Sequence, residues 1–132
     1  METKRILILE DDLKTLSFLF DKLAKLEEQN SSFDFAITTL SEYTQVEEYV
    51  NEKTDNYFDI ILLDRDCKAC GSFHVLDFDK FNPNKIISIS SVPDYNELAR
   101  QKGITKVVYK DYEKLDEFSS KVIEEIKSVL CL

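Results

Sequence analysis

A chain of 132 residues, 43% hydrophobic and 33% charged, has the composition of one folded domain rather than a disordered segment, since domains commonly hold about 100–150 residues. Its net charge of −9 argues against nonspecific nucleic-acid binding, which draws on clustered Lys and Arg to displace counterions from phosphates. No apolar run approaches the ~20 residues that span a bilayer, and Met1-Glu2-Thr3-Lys4-Arg5 leads straight into a strand instead of a signal peptide; the expected location is cytoplasmic, with neither membrane nor nucleic acid as partner.

Ile6-Leu7-Ile8-Leu9 reads as a buried first strand and runs into Glu10-Asp11-Asp12. Asp12 can cap a first helix on which Leu13, Leu16, Phe20, Leu23 and Leu26 recur at helical spacing. Phe33, Phe35 and Ile37 then alternate with Asp34, Ala36 and Thr38, the pattern of a half-covered edge strand. Ser41 can cap a second helix carrying Val46, Tyr49, Val50 and Lys53, and the run Ile60-Ile61-Leu62-Leu63 ends in Asp64. Between Cys67 and Lys85, Val75, Leu76, Phe78 and Phe81 are expected to form a short helix ended by Asn82-Pro83-Asn84, because proline disfavours helical geometry in the residue before it. Ile86-Ile87-Ser88-Ile89 runs into Ser90 as a fourth strand. Pro93 opens the next helix at its first position, Leu98, Ala99 and Lys102 continue it, and Gly103 closes it in the left-handed conformation. Val107-Val108-Tyr109 leads into Lys110, and Asp111 is expected to cap a last helix with the stripe Leu115, Phe118, Val122, Ile126 and Val129.

Five strands alternating with five helices imply an α/β fold with a parallel sheet covered on both faces, because parallel neighbours need crossovers and these are right-handed. The expected architecture is a flavodoxin-like three-layer sandwich, strand order 2-1-3-4-5, in a single domain spanning 1–132. The carboxyl ends of such strands share one edge, and ligands bind in the crevice there. Glu10-Asp11, Asp64, Ser90 and Lys110 all stand at that edge. Converging carboxylates repel one another unless protons or a cation neutralise them, and all-oxygen ligation favours Mg²⁺ over zinc. An Asp beside such an ion can attack phosphorus to form an acyl phosphate, while a Lys ammonium and a Ser hydroxyl hold the phosphoryl oxygens. Asp64 is placed as the nucleophile and Ser90 as the hydroxyl donor.

This ordered set resembles the receiver domain of response regulators in two-component signalling, of the single-domain chemotaxis kind, over essentially the whole chain. The resemblance implies that Glu10, Asp11 and Asp64 bind Mg²⁺ together with the backbone carbonyl of Asp66. It implies that Asp64 is the phosphoacceptor, and that Ser90 and Lys110 contact the phosphoryl group. It further implies a histidine kinase or phosphotransfer protein as donor and a downstream protein as target. The chain would then be a signalling phosphoacceptor that promotes only its own phosphorylation and dephosphorylation, not an enzyme. Three positions depart from the family pattern. Arg65-Asp66-Cys67-Lys68 follows Asp64 in place of a hydrophobic residue and a Pro four positions on, Val107 stands where an aromatic switch residue is usual, and Asp111 replaces a Pro.

Other readings compete. The altered loop and Val107 suit a pseudo-receiver, an interaction module not controlled by phosphorylation, whereas the intact polar set argues against a pure scaffold. Glu10 with Asp64-Arg65-Asp66 resembles the Toprim metal site of nucleotidyl-transfer and hydrolysis enzymes, but Asp11 stands where a Gly is normal, and Ser90 and Lys110 go unexplained. Leu62-Leu63-Asp64-Arg65-Asp66 also resembles the opening motif of haloacid-dehalogenase phosphatases, though the acidic pair comes first here and last there. Cys67, Cys70 and Cys131 are expected as free thiols, since Cys67-Lys68-Ala69-Cys70 with His74 is only half of a zinc site and His74 reads as an ordinary packed or solvated residue.

Overall fold

The computed structural model describes residues 1–67 and 71–132, Cys67 through its backbone alone. Five parallel strands form the central sheet: β1 (Glu2–Leu9), β2 (Phe33–Leu40), β3 (Ile60–Leu63), β4 (Ile86–Ser88) and β5 (Lys106–Val107). Their spatial order is 2-1-3-4-5, the order expected of a flavodoxin-like sheet. Period-two alternation sends Ile6 and Ile8 of β1 to one face and Leu7 and Leu9 to the other, so the strand feeds two cores at once. On the first face Ile60, Leu62 and Ile87 join them against Leu16, Leu19 and Leu23 of helix α1 (Leu13–Glu28) and Phe118, Val122 and Ile126 of α4 (Leu115–Leu130). On the second face Ile61, Leu63 and Ile86 meet Val46 and Val50 of α2 (residues 43–50) and Ala99 of α3 (Pro93–Gln101). Each such side chain, fully withdrawn from water, contributes about 1.5–3 kcal/mol to folding.

Local chemistry accounts for most boundaries. Asp12 caps α1 by accepting from the Thr15 N–H at 2.9 Å. Pro93 opens α3, and Gly103 follows it at φ +92°, a conformation a side chain disfavours. β2 lies at the sheet edge, as expected, but Ala36, Ile37 and Thr38 are all exposed, so its burial does not follow the alternation of its sequence.

Several elements differ from expectation. The buried line of α1 is Leu16, Leu19, Leu23 and Leu26, while Leu13 and Phe20 face outward; Leu19 shows that the stripe keeps to i+3 and i+4 steps rather than including every leucine. The second helix is only one α-turn, Tyr43–Gln45, continued by a π-turn over Val46–Val50 and capped by no side chain, Ser41 included. Its Val, Thr and Tyr residues form helix weakly, and packing of Val46 and Val50 on the sheet supplies the order instead. The expected helix over Val75–Phe81 is absent. There, after an antiparallel hairpin of Asp66–Cys67 with Gly71–Ser72, the chain makes 3₁₀ turns at Phe73–Val75 and Pro83–Lys85. Side chains that prefer turns hold this crossover: Ser72 Oγ accepts from His74 N, Asp77 Oδ1 from Asp79 N, and Asn82 Oδ1 from Asn84 N. Phe73, Leu76 and Phe81 anchor it in the core, so apolar residues that read as helical spacing are irregular plugs. Asp111 caps a turn by accepting from Glu113 N at 3.0 Å, whereas α4 begins at Leu115 after Lys114.

Candidate functional site

Register brings the strand ends together. Leu9 pairs with Leu63, and the Asp64 N–H donates to the Leu9 carbonyl at 3.0 Å, so Glu10 and Asp64 emerge side by side. Leu63 pairs with Ser88 on the other flank, and beyond β5 the Lys110 N–H donates to the Ser90 carbonyl at 3.2 Å. Three carboxylates, those of Glu10, Asp11 and Asp64, offer oxygens all within 4.8 Å of one another.

Glu10 and Lys110 are buried, and Asp64 nearly so. The Lys110 ammonium bridges the two acids, donating to Glu10 Oε1 and, at 3.0 Å, to Asp64 Oδ2. Glu10 Oε2 accepts the Asp11 and Asp12 N–H groups at 2.9 and 3.1 Å, and Asp64 Oδ1 accepts that of Arg65 at 2.8 Å. Burial pushes Glu10 up to about 7 against the pull of Lys110, and it raises Asp64 as well. For Lys110, burial alone favours the neutral amine, but the two carboxylates outweigh it and hold the ammonium above its usual range.

Ser90 is buried just past the end of β4. Its Oγ accepts from the Val92 N–H at 3.0 Å, and its peptide is gripped by Asn96 of α3. Asn96 was not among the residues singled out from sequence; the available signal was a polar residue three positions before Ala99 on the inward face of α3. Arg65 stacks over Tyr95 at 4.3 Å and pairs with the Asp66 carboxylate at 2.9 Å. Asp66 stands in the hairpin with its side chain exposed and outside the carboxylate cluster. Tyr109 is exposed and Val107 half-buried, while the Tyr112 ring lies 5.2 Å from the Lys110 ammonium. His74 is half-buried edge-on to Phe78. The pair Cys67 and Cys70, whether thiols or half of a zinc site, lies outside the described residues; Cys131 is a free, exposed thiol.

An all-oxygen donor set of three carboxylates, with one ammonium to balance it, retains two negative charges when all are ionised. Such a set fits a hard divalent cation.

The fold is that of response-regulator receiver domains. Solved structures similar to the chain include the phosphorylated cyanobacterial phytochrome response regulator RcpA, at 17% identity and TM-score 0.71 over 96% of this chain and 92% of that one. The Mn²⁺-bound response regulator Rcp1 aligns at 17% identity and TM-score 0.68, covering 95% and 92%. The bacteriophytochrome response regulator RtBRR aligns at 18% identity and TM-score 0.59, covering 98% and 78%. No protein-family model matches the sequence, and no curated protein does.

Proposed function

We propose that residues 1–132 form a receiver unit that accepts a phosphoryl group on Asp64 from a histidine kinase or phosphotransfer protein and signals to a partner protein by a change of conformation. The observation that carries this reading is the meeting of Glu10, Asp11 and Asp64 at one sheet edge with Lys110 bridging two of them. Glu10, Asp11, Asp64 and the carbonyl of Asp66 would hold Mg²⁺, which when bound neutralises charge on the phosphoryl oxygens. A carboxylate oxygen of Asp64 attacks phosphorus, the P–N bond to the donor imidazole breaks, and its electron pair returns to the ring. Lys110 balances the anionic product, and Ser90 donates its hydroxyl hydrogen to a phosphoryl oxygen. Phosphorylation and hydrolysis of its own Asp64 are the only reactions promoted, and the setting is the cytoplasm, where such donors act.

Intact mass after incubation with Mg²⁺ and acetyl phosphate tests the proposal. The expected result is one phosphoryl adduct, labile at alkaline pH and missing from Asp64→Asn. An adduct that persists in the variant would place the acceptor elsewhere.

A further inference from the structure

We infer that Asn96 is a positioning residue for the phosphoryl site, gripping the Ser90 peptide so that its hydroxyl and the backbone of Lys110 keep one fixed arrangement. The inference rests on the receiver reading above. Ser90 lies just past the end of β4. Asn96 holds both of its backbone polar groups: its Oδ1 accepts from the Ser90 N–H at 3.2 Å, and its Nδ2 donates to the Ser90 carbonyl at 3.1 Å. An amide offers an acceptor and a donor side by side at every ordinary pH, the pattern a neighbouring peptide presents. Ser88 Oγ donates to the same Oδ1 at 2.6 Å, while the Ser90 N–H, a donor only, and the Ser90 carbonyl, an acceptor only, fix which end of the amide faces which group. All three residues are buried, with exposures of 1%, 2% and 3% for Ser88, Ser90 and Asn96.

Two consequences tie this network to the site. The Ser90 carbonyl held by Asn96 also accepts the Lys110 N–H at 3.2 Å, so the grip reaches the residue whose ammonium bridges Glu10 and Asp64. Ser90 Oγ meanwhile accepts from Val92 N and donates to none of the described residues, which leaves its hydrogen for a phosphoryl oxygen. Asn96 belongs to α3, so a displacement of Ser90 toward a bound phosphoryl group must carry the first turn of α3 with it or break these bonds.

Beryllofluoride, a phosphoryl mimic, provides the test, with its affinity and that of Mg²⁺ measured by NMR titration on the full chain. In Asn96→Ala we expect beryllofluoride to bind about tenfold more weakly while Mg²⁺ affinity stays within about twofold, because a hydroxyl drawn out of reach of a charged ligand forfeits on the order of a factor of ten in affinity. A structural loss would weaken both ligands together, and that outcome, or no change in either, overturns the inference. Should the alanine variant not fold, Asn96→Asp decides: a protonated carboxyl can accept and donate as the amide does, whereas a carboxylate faces the Ser90 carbonyl with like partial charge. Its deficit relative to the native chain is expected to shrink as pH falls, and a deficit independent of pH overturns the inference. If the native chain itself fails to bind beryllofluoride with Mg²⁺, the receiver reading fails; if it binds and the variants match it, only the role of Asn96 does.

Discussion

Lys110 holds an ammonium fully withdrawn from water between Glu10 and Asp64. Taking these charges from solvent is expensive, and each is tolerable only because the others are present. Lys110→Met is therefore expected to cost about 3–5 kcal/mol at neutral pH in metal-free buffer, the usual penalty for orphaning a buried charge. The loss should depend on pH. Glu10 has its folded pKa raised from 4.5 to about 7, so the stability tied to its protonated form is full below 4.5 and lost as pH rises through about 7. Urea unfolding of the variant at pH 5 and 7.5 should show the smaller deficit at pH 5; equal deficits would mean that the carboxylates do not share their charge problem through Lys110. At this scale Glu10, Asp11, Asp64, Ser90 and Lys110 were legible because each ends an apolar run, whereas Asn96 was not. Its role depends on the end of β4 lying across from the first turn of α3, and a polar residue inside a helix says nothing of that by itself.

The crossover between β3 and β4 shows what periodicity misses among the elements. Phe73, Leu76 and Phe81 enter the core from turns, and Asn51 pins the segment by donating to the Val75 carbonyl and accepting from Asp77 N at 2.9 and 2.8 Å. Those bonds span more than twenty residues, so the local pattern had only the apolar spacing to show, and that spacing imitated a helix. β3, β4 and the second half of β1, Ile6 to Leu9, were readable because fully buried parallel strands are continuous apolar runs, whereas the polar, largely exposed Glu2 to Arg5 that begin β1 were not. Within this crossover, burial pulls His74 down from 6.5 to about 4, helped by the charges of Lys102 and Arg65 and opposed by Asp66. Its neutral form is the one that fits. The contribution of burying it is complete above 6.5 and is lost as pH falls through about 4. Replacement by Gln removes the titration, so the melting temperature of the native chain should fall relative to His74→Gln between pH 6.5 and 4. Parallel curves over that range would show that His74 is hydrated in the folded protein. The opposite slope contributed by Glu10 is common to both chains and drops out of the difference.

Over the whole molecule, 26 acidic residues against 17 Lys and Arg leave a net charge of −9, and self-repulsion of this size opposes the compact state. Any added salt screens it, because the Debye length is only about 8 Å at 0.15 M. A site-bound cation acts differently: an ion that binds the folded chain alone stabilises it by RT ln(1 + [L]/Kd), about 2.7 kcal/mol at one hundred times Kd. The two contributions separate when MgCl₂ is compared with NaCl at matched ionic strength. We expect Mg²⁺ to raise the melting temperature beyond the sodium control, and Asp11→Asn to reduce that excess while keeping the screening response. Asp11 suits this test because it belongs to the carboxylate cluster yet is only half-buried and outside the Lys110 bridge, so its neutralisation leaves the buried triad intact. If Mg²⁺ and Na⁺ stabilise the chain equally at equal ionic strength, Lys110 between Glu10 and Asp64 and general screening suffice for the acidic edge, and it does not select a divalent ion.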